Sequence, residues 1–163
     1  MNPMLDIIPA TLPNHFQSAK FLFRAYAHWL GLDLSFQKFA EELSDISGMY
    51  APPTGNCWLA YHQHDAVGCI ALRPINEKIG ELKRMYVIPE FQGQGIGQHL
   101  LDVATNYASE QGYQALRLDT LKTMEPAMNL YKKNEFLVIP AYYNNPHPDA
   151  VYFEKQLVRL HEK

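Results

Sequence analysis

The chain of 163 residues is 47% hydrophobic and carries a formal net charge of −3, which predicts one compact domain over residues 1–163. A pI near 6.1 leaves no broad basic face, so we do not expect a nucleic-acid backbone as the main partner. Apolar runs are far shorter than the ~20 residues of a membrane span, and Met1-Asn2-Pro3 begins no secretory signal, so we expect a soluble, cytoplasmic protein.

Hydrophobic periodicity and turn residues predict helices and strands in the first half of the chain. Pro13 is typical of a helix start and Gly31 of a helix end, and Ser35 is the expected N-cap of a shorter helix. The predicted elements are an edge strand over residues 4–8, helices over 13–30 and 35–43, a hairpin of strands 56–62 and 67–73, and a strand over 81–88.

The second half alternates helices and strands. Residues 115–120 alternate apolar and polar side chains, which is consistent with a strand parallel to the strand at 81–88 through a crossover helix. Gly112 is well placed to end that helix. The predicted elements are a helix over 98–111, a strand over 115–120, a helix over 125–133 and strands near 136–139 and 151–157.

The segment Gln92-Gly93-Gln94-Gly95-Ile96-Gly97, between a strand and a helix, indicates a binding loop for a pyrophosphate. Three glycines let the backbone turn tightly, so that successive amides can converge on an anion. The following helix adds its positive N-terminal end. Because the loop contains no lysine, amide dipoles would hold the anion, which suits a nucleotide diphosphate that is bound and not cleaved.

Two other glycine-rich loops fit poorly. A Walker loop needs a Gly-Lys pair, which this chain lacks, and a Rossmann fingerprint counted from Gly93 would require glycine at Gln98. Read as Gln92-x-x-Gly95-x-Gly97 after a strand that ends Val87-Ile88-Pro89, the segment resembles the coenzyme A loop of the GNAT N-acetyltransferase superfamily.

The resemblance extends over essentially the whole chain and implies an α/β fold of α+β type. This GNAT fold has a mixed central sheet of about seven strands and about four helices, with a splayed parallel pair at 81–88 and 115–120. Acetyl-coenzyme A would be the cosubstrate, with no metal. Pantetheine would pair with free backbone groups of Met85 and Val87. The pyrophosphate would bind the amides of residues 92–98. The implied coenzyme A residues are Met85, Tyr86, Val87, Gln92, Gly93, Gln94, Gly95, Ile96, Gly97 and Gln98.

Amide formation from a thioester benefits from an acid and a base. An alkylammonium with a pKa near ~10 must lose a proton, and the departing thiolate, with a pKa near ~8.5, must gain one. By resemblance, Tyr131 is the expected acid, and Glu81 is the leading candidate for the base. The alternatives stay open: Tyr131 as a core aromatic residue, and Glu81 as a solvated charge at a strand end.

The chain departs from the family pattern at two positions. Met124 stands where many relatives have an asparagine that contacts the coenzyme, so that amide contact does not carry over. Glu135 stands where relatives often have a glycine before Phe136. We expect Asn134 to take the left-handed turn there, because asparagine tolerates positive φ better than most residues.

The acceptor pocket is expected between the first helical pair and the late loop, by analogy with the fold. Aromatic side chains in both places suggest a small, partly apolar amine. The residues are Tyr26, Trp29 and Phe36 early in the chain and Tyr142 and Tyr143 late, with Asn144, Asn145 and His147 beside them.

The leading hypothesis is therefore an acetyl-coenzyme A dependent N-acetyltransferase that acts on a small-molecule amine in a ternary complex. A non-catalytic acyl-coenzyme A sensor, a protein or peptide N-acetyltransferase and a homodimer stay open. His62 and His64 fall at a hairpin turn and predict no metal site. Cys57 is expected opposite a residue near Leu72, too far from Cys69 for a disulfide, so both thiols should be free.

Overall fold

The structure, a computed structural model, describes residues 5–31, 33–34 and 38–157. Seven strands form one mixed sheet in the order β1-β2-β3-β4-β5-β7-β6, as predicted. The strands are β1 (Leu5–Pro9), β2 (Asn56–His62), β3 (Asp65–Pro74), β4 (Ile79–Val87), β5 (Ala115–Leu121), β6 (Leu137–Ile139) and β7 (Ala150–Gln156). The helices are α1 (Pro13–Leu30), α2 (Phe39–Ser44), α3 (Ile46–Met49), α4 (Ile96–Glu110) and α5 (Glu125–Lys133).

The two parallel strands of the sheet separate along their length. β4 and β5 pair only at Ile79 with Ala115, Gly80 with Leu116 and Glu81 with Arg117. Beyond these positions β4 stays paired with β3 as far as Val87, and β5 stays paired with β7 as far as Leu121. The predicted splayed pair is therefore confirmed, and the separation opens a gap inside the sheet.

Two hydrophobic clusters cover opposite faces of the sheet. The larger one includes Leu100 and Leu101 of α4 and residues of all the strands in the middle of the sheet. The other includes Leu22 and Phe23 of α1 and the side chains of Cys57 and Cys69. The burial of such apolar side chains typically contributes about 1.5–3 kcal/mol each. Helices on both faces hold the splayed strands from either side.

A bulge interrupts β4 next to the gap. Cys69 of β3 pairs with Tyr86 and Ala71 pairs with Lys83, so Ile70 faces two residues of β4 where one is usual. Arg84, one of those two, has a φ of 61°, a conformation that is uncommon for a residue with a side chain. The bulge changes the alternation of β4, so positions on either side of it cannot be assigned to a face by counting.

Several predictions about local structure are confirmed. Pro13 begins α1, and Gly31 ends it with a φ of 68°. Cys57 and Cys69 are free and buried, although Cys57 pairs with Ala71, one residue before the expected partner. Burial raises the pKa of the Cys57 thiol to about 12, which makes it a poor nucleophile at neutral pH.

Other expectations need correction. The described part of the chain has five helices where about four were expected, because Asp45 separates α2 from α3 and accepts a hydrogen bond from the Gly48 amide at 3.2 Å. The left-handed residue after α5 is Glu135, with a φ of 71°, and not Asn134. Ser35 and Phe36, and Met4 at the start of the predicted edge strand, lie outside the described residues.

Candidate active site

A cleft occupies the gap between the splayed strands. It encloses about 610 Å³, including the part open to solvent. Its walls are the separated segments of β4 and β5, the end of α1 and the buried face of α5. The residues along it are Tyr26, Leu30, Leu34, Ile70, Leu82, Lys83, Arg84, Met85, Leu118, Asp119, Thr120, Leu121, Tyr131 and Asn145.

The glycine-rich loop lies between the end of β4 and the start of α4. Gly93 and Gly95 have φ values of 79° and 85°, and a Cβ at either position would meet no atom within 4 Å. Backbone conformation, and not crowding, therefore requires glycine there. α4 begins at Ile96, so the amides of its first turn lack partners within the helix and can bind an anion.

Side chains of the loop hold it to the rest of the site. The Gln92 side-chain amide donates to the Val87 carbonyl at 2.8 Å. Gln98 and Asn134 exchange two hydrogen bonds, at 2.8 and 2.9 Å, which join α4 to the end of α5. The Asn134 side chain also donates to the Leu130 carbonyl at 2.8 Å. The loop is thus attached both to β4 and to the helix that carries Tyr131.

The residues that were predicted to contact pantetheine lie in different places relative to the cleft. Met85 lies along the cleft. The carbonyl of Val87 accepts the hydrogen bond from Gln92 and keeps a second lone pair, so contact of Val87 with pantetheine stays a prediction. The Tyr86 side chain packs on the α1 side of the sheet, with its ring centroid 5.8 Å from that of Tyr26 and 5.6 Å from that of Trp29.

Tyr131 lies in the wall of the cleft. Its ring packs against Phe136 and Phe153, with centroids 5.7 and 5.9 Å away. Among the described residues, no hydrogen bond engages its hydroxyl. Burial raises the pKa of Tyr131 well above its ordinary value, and the neighbouring Tyr26 and Asp119 add to the effect. The phenol is therefore protonated at neutral pH and able to donate.

Glu81 lies at the point where the strands separate, and both of its carboxylate oxygens accept hydrogen bonds. Its Oε1 accepts from Arg73 Nε at 2.8 Å and is 4.0 Å from Lys83 Nζ, while Oε2 accepts from the Tyr142 hydroxyl at 2.7 Å. Burial acts to raise the pKa of Glu81, but Lys83, Arg73 and the hydrogen bond from Tyr142 outweigh it and lower that pKa. Glu81 does not line the cleft.

The predicted acceptor residues surround the same region. Tyr26 lies along the cleft, and burial raises its pKa to about 12. Trp29 is 44% exposed and packs against Tyr86, and it does not line the cleft. Tyr142 and Tyr143 reach across from the loop before β7, where Tyr142 binds Glu81 and Tyr143 binds Asp119. The late loop thus contacts both splayed strands.

Three charged residues along the cleft, Lys83, Arg84 and Asp119, were not predicted as site residues from the sequence. Asp119 of β5 accepts hydrogen bonds from the Tyr143 hydroxyl and from Asn145 Nδ2. Lys83 of β4 is 8% exposed, and burial lowers its pKa although Glu81 and Asp119 act in the opposite direction. The available signal was an ionisable residue in the middle of a predicted strand, since charged side chains are rarely fully buried unless they are paired.

Within the described ranges, no group of three or more histidine, cysteine, aspartate or glutamate side chains could hold a metal ion. No described helix is both long and apolar enough to span a bilayer. The cleft holds a buried phenol and a carboxylate, which can transfer protons, and the glycine-rich loop after β4 offers the unpaired first-turn amides of α4 to an anion.

Known proteins resemble this chain in sequence and in fold. The sequence matches the Acetyltransferase (GNAT) family over residues 21–136. An uncharacterized N-acetyltransferase from Schizosaccharomyces pombe is 36% identical over 155 residues, 94% of this chain and 95% of its own length. An acetyltransferase of the GNAT family from Staphylococcus aureus superposes with a TM-score of 0.80 at 22% identity, over 94% of this chain and 99% of its own. The PaiA N-acetyltransferase of Thermoplasma acidophilum, solved in complex with coenzyme A, has a TM-score of 0.74 at 21% identity, over 93% of this chain and 98% of its own.

Proposed function

Because the chain belongs to the GNAT family of acetyltransferases, we propose that it transfers the acetyl group of acetyl-coenzyme A to a small primary amine. The observation that carries the proposal is the cleft between β4 and β5, which has Tyr131 in its wall, together with the glycine-rich loop that connects β4 to α4. In this proposal, acetyl-coenzyme A lies with its pyrophosphate on the loop and its thioester near Tyr131.

The loop residues supply the binding of the coenzyme. The first-turn amides of α4 face a phosphate with the positive end of the helix dipole. Gln92 and Gln98 hold the loop through Val87 and Asn134. Their role in this proposal is to keep the loop in its binding conformation, which lowers the entropy lost when the coenzyme binds.

Tyr131 acts as the acid that protonates the departing thiolate. Burial raises the pKa of Tyr131, and it also raises the pKa of the thiol that forms in the same cleft. Burial alone therefore does not prevent proton transfer from Tyr131 to the thiolate. Assistance of this kind typically contributes about 10²- to 10⁴-fold in rate.

The assignment of Glu81 as general base stays a prediction. A carboxylate that already binds Arg73 and Tyr142, and whose pKa is lowered, is a weak base. In the arrangement that we propose, Glu81 holds Lys83 and Tyr142 in place at the point where the strands part.

The test measures free thiol release from acetyl-coenzyme A with a panel of small amines, amino acids and peptides. We expect amine-dependent release that falls at least about tenfold in kcat in Tyr131→Phe, with coenzyme A affinity unchanged by calorimetry. Tyr107→Phe is the matched control, because it removes a hydroxyl that donates to the Pro53 carbonyl, and neither residue lines the cleft. Tight binding of coenzyme A without amine-dependent release would instead indicate an acyl-coenzyme A binding module, and peptides as the best acceptors would contradict a small-molecule amine.

A further inference from the structure

Two carboxylates lie near the point where β4 and β5 separate, and they have different surroundings. Glu81 is 2% exposed and lies beside two cationic side chains. Asp119 is half-buried, lies along the cleft, and forms no ion pair within the part of the chain that the structure describes. Only Asp119 therefore presents a carboxylate to a molecule in the cleft.

The hydrogen bonds of Asp119 orient the carboxylate and leave one oxygen available. The Tyr143 hydroxyl and Asn145 Nδ2, at 3.0 Å, both donate to Oδ2. No described residue donates to Oδ1. Both donors are neutral groups, so neither neutralises the charge of Asp119. Lys83 also lines the cleft and is acted on by that charge, but its Nζ lies 4.0 Å from Glu81 Oε1, and in the described part of the chain it forms no ion pair with Asp119.

Both donors belong to the late loop, and Tyr152 of β7 holds that loop in place. Tyr152 donates its hydroxyl to the Tyr143 carbonyl at 3.0 Å, and the three rings of Tyr142, Tyr143 and Tyr152 pack with centroids 5.4 to 5.6 Å apart. Such a support limits the movement of Asp119, which is the requirement for a group that positions a substrate.

Asp119 also lies near the proposed acid. Both Asp119 and Tyr131 line the cleft, and the charge of Asp119 contributes to the raised pKa of Tyr131 and of Tyr26. A group bound to Asp119 would be next to the tyrosine that faces the departing sulfur, which is where the attacking nitrogen has to lie.

We propose that Asp119 binds the ammonium group of the acceptor, so that the substrates are aliphatic primary amines, which are cations at neutral pH, and not arylamines. The inference rests on the proposed function and names its acceptor class. The negative charge meets the cation, and Oδ1 accepts one of its N–H bonds. A charge-assisted hydrogen bond of this kind is stronger than one between neutral groups.

The reaction balances with groups already named. The ammonium releases one proton to solvent, and the neutral nitrogen attacks the thioester carbonyl carbon. As the C–N bond forms, the nitrogen passes its second proton to Asp119, the C–S bond breaks, and the thiolate takes the proton of Tyr131. Asp119 then returns its proton to Tyr131 through solvent. The products are the acetamide, free thiol and one proton.

The first experiment compares Asp119→Asn with the unchanged protein for an alkylamine and an arylamine of similar size. We expect the ratio of kcat/KM for the alkylamine to that for the arylamine to fall at least tenfold, mainly through the KM of the alkylamine. Asp65→Asn, at the exposed start of β3, is the matched control and should leave the ratio unchanged. Titration with coenzyme A establishes that each variant is folded. An unchanged ratio in a folded Asp119→Asn would overturn the inference.

A second measurement needs no variant. The N,N-dimethyl derivative of the best amine stays cationic but gives no stable amide, and the analogue with an isopropyl group in place of the dimethylammonium has the same shape without charge. We expect the cation to inhibit at least tenfold more strongly, and equal inhibition would contradict a role for the charge. If the unchanged protein releases no thiol with any of the amines tested, the proposed function fails and this inference fails with it. Release with unaltered selectivity in Asp119→Asn contradicts the inference alone.

Discussion

Glu42 of α2 and Arg84 of β4, 42 residues apart in sequence, form a bidentate ion pair that is closed to solvent. Arg84 Nε and Nη2 bind the two carboxylate oxygens at 2.9 and 2.7 Å, and the Tyr50 hydroxyl donates to Oε2 at 2.9 Å. Because Arg84 is the left-handed residue of the β4 bulge, the pair joins α2 to the strand that borders the cleft.

Removal of the charge of Glu42 should destabilise the protein strongly. Glu42→Gln leaves a buried guanidinium without its anion, which typically costs about 3–5 kcal/mol. Glu41→Gln changes an exposed neighbour in the same helix and should change the free energy of unfolding by less than about 0.5 kcal/mol. Urea denaturation of the two variants measures the difference. Similar small effects for both would mean that Arg84 reaches water when Glu42 is neutral.

The positive φ of Gly95 should matter for coenzyme binding as well as for stability. Gly95→Ala and Gly112→Ala both place a Cβ in open space at positive φ, at 85° and 92°, so each should cost about 1–2 kcal/mol of unfolding free energy. Only Gly95→Ala alters the loop, and we expect it alone to weaken coenzyme A binding, by at least about fivefold, an estimate from an amide hydrogen bond of about 1 kcal/mol. Calorimetric titration checks this, and an equal loss of affinity in both variants would count against the loop as the pyrophosphate site.

Replacement of Glu135 by glycine should stabilise the protein. Glu135 ends α5 in a left-handed conformation with a φ of 71°, and the Phe136 amide binds the Tyr131 carbonyl at 3.0 Å, the pattern of a Schellman motif. Glycine adopts this conformation without the penalty that a Cβ brings, about 1 kcal/mol. The same replacement at Glu110, in the right-handed last turn of α4, should instead destabilise. The thermal unfolding midpoints should therefore move in opposite directions, and a lower midpoint for Glu135→Gly would show that the Glu135 side chain makes a compensating contact.

Glu81 should make the free energy of unfolding depend on pH in the acidic range. Burial acts to raise its pKa, but Lys83, Arg73 and Tyr142 lower it below the ordinary value of 4.5. A carboxylate with a lowered pKa in the folded state contributes its stability above the pKa of the unfolded chain, and this is lost as pH falls through the folded pKa. The difference in unfolding free energy between the unchanged protein and Glu81→Gln should therefore shrink as the pH falls below about 4.5. Glu77→Gln, at an exposed turn position, supplies the comparison, and a difference that stays constant with pH would mean that the pKa of Glu81 is not lowered.

Much of the fold was predictable because its signals are local. The predicted bounds of β2 and α5 agree with the structure, and so do the end of α1 at Gly31 and the position of the glycine-rich loop between a strand and a helix. The splayed parallel pair followed from the family resemblance, which depends on the same short motif. Local sequence determines where the backbone can turn and which stripe of a helix is apolar.

The site was only partly predictable, for the same physical reason. Residues that are distant in sequence determine whether Glu81 or Asp119 faces the cleft, because Arg73 and Tyr142 engage the first, and Tyr143 and Asn145 leave the second with a free oxygen. Periodicity alone cannot show which of two carboxylates is already bonded.

The sequence by itself determined the glycine loop, the helix that follows it and the order of the elements. Only the tertiary structure decided the bulge at Arg84 and its ion pair with Glu42. A positive φ at a residue with a side chain and a buried charge are both unfavourable local choices, and here Glu42 of another element binds the residue that makes them.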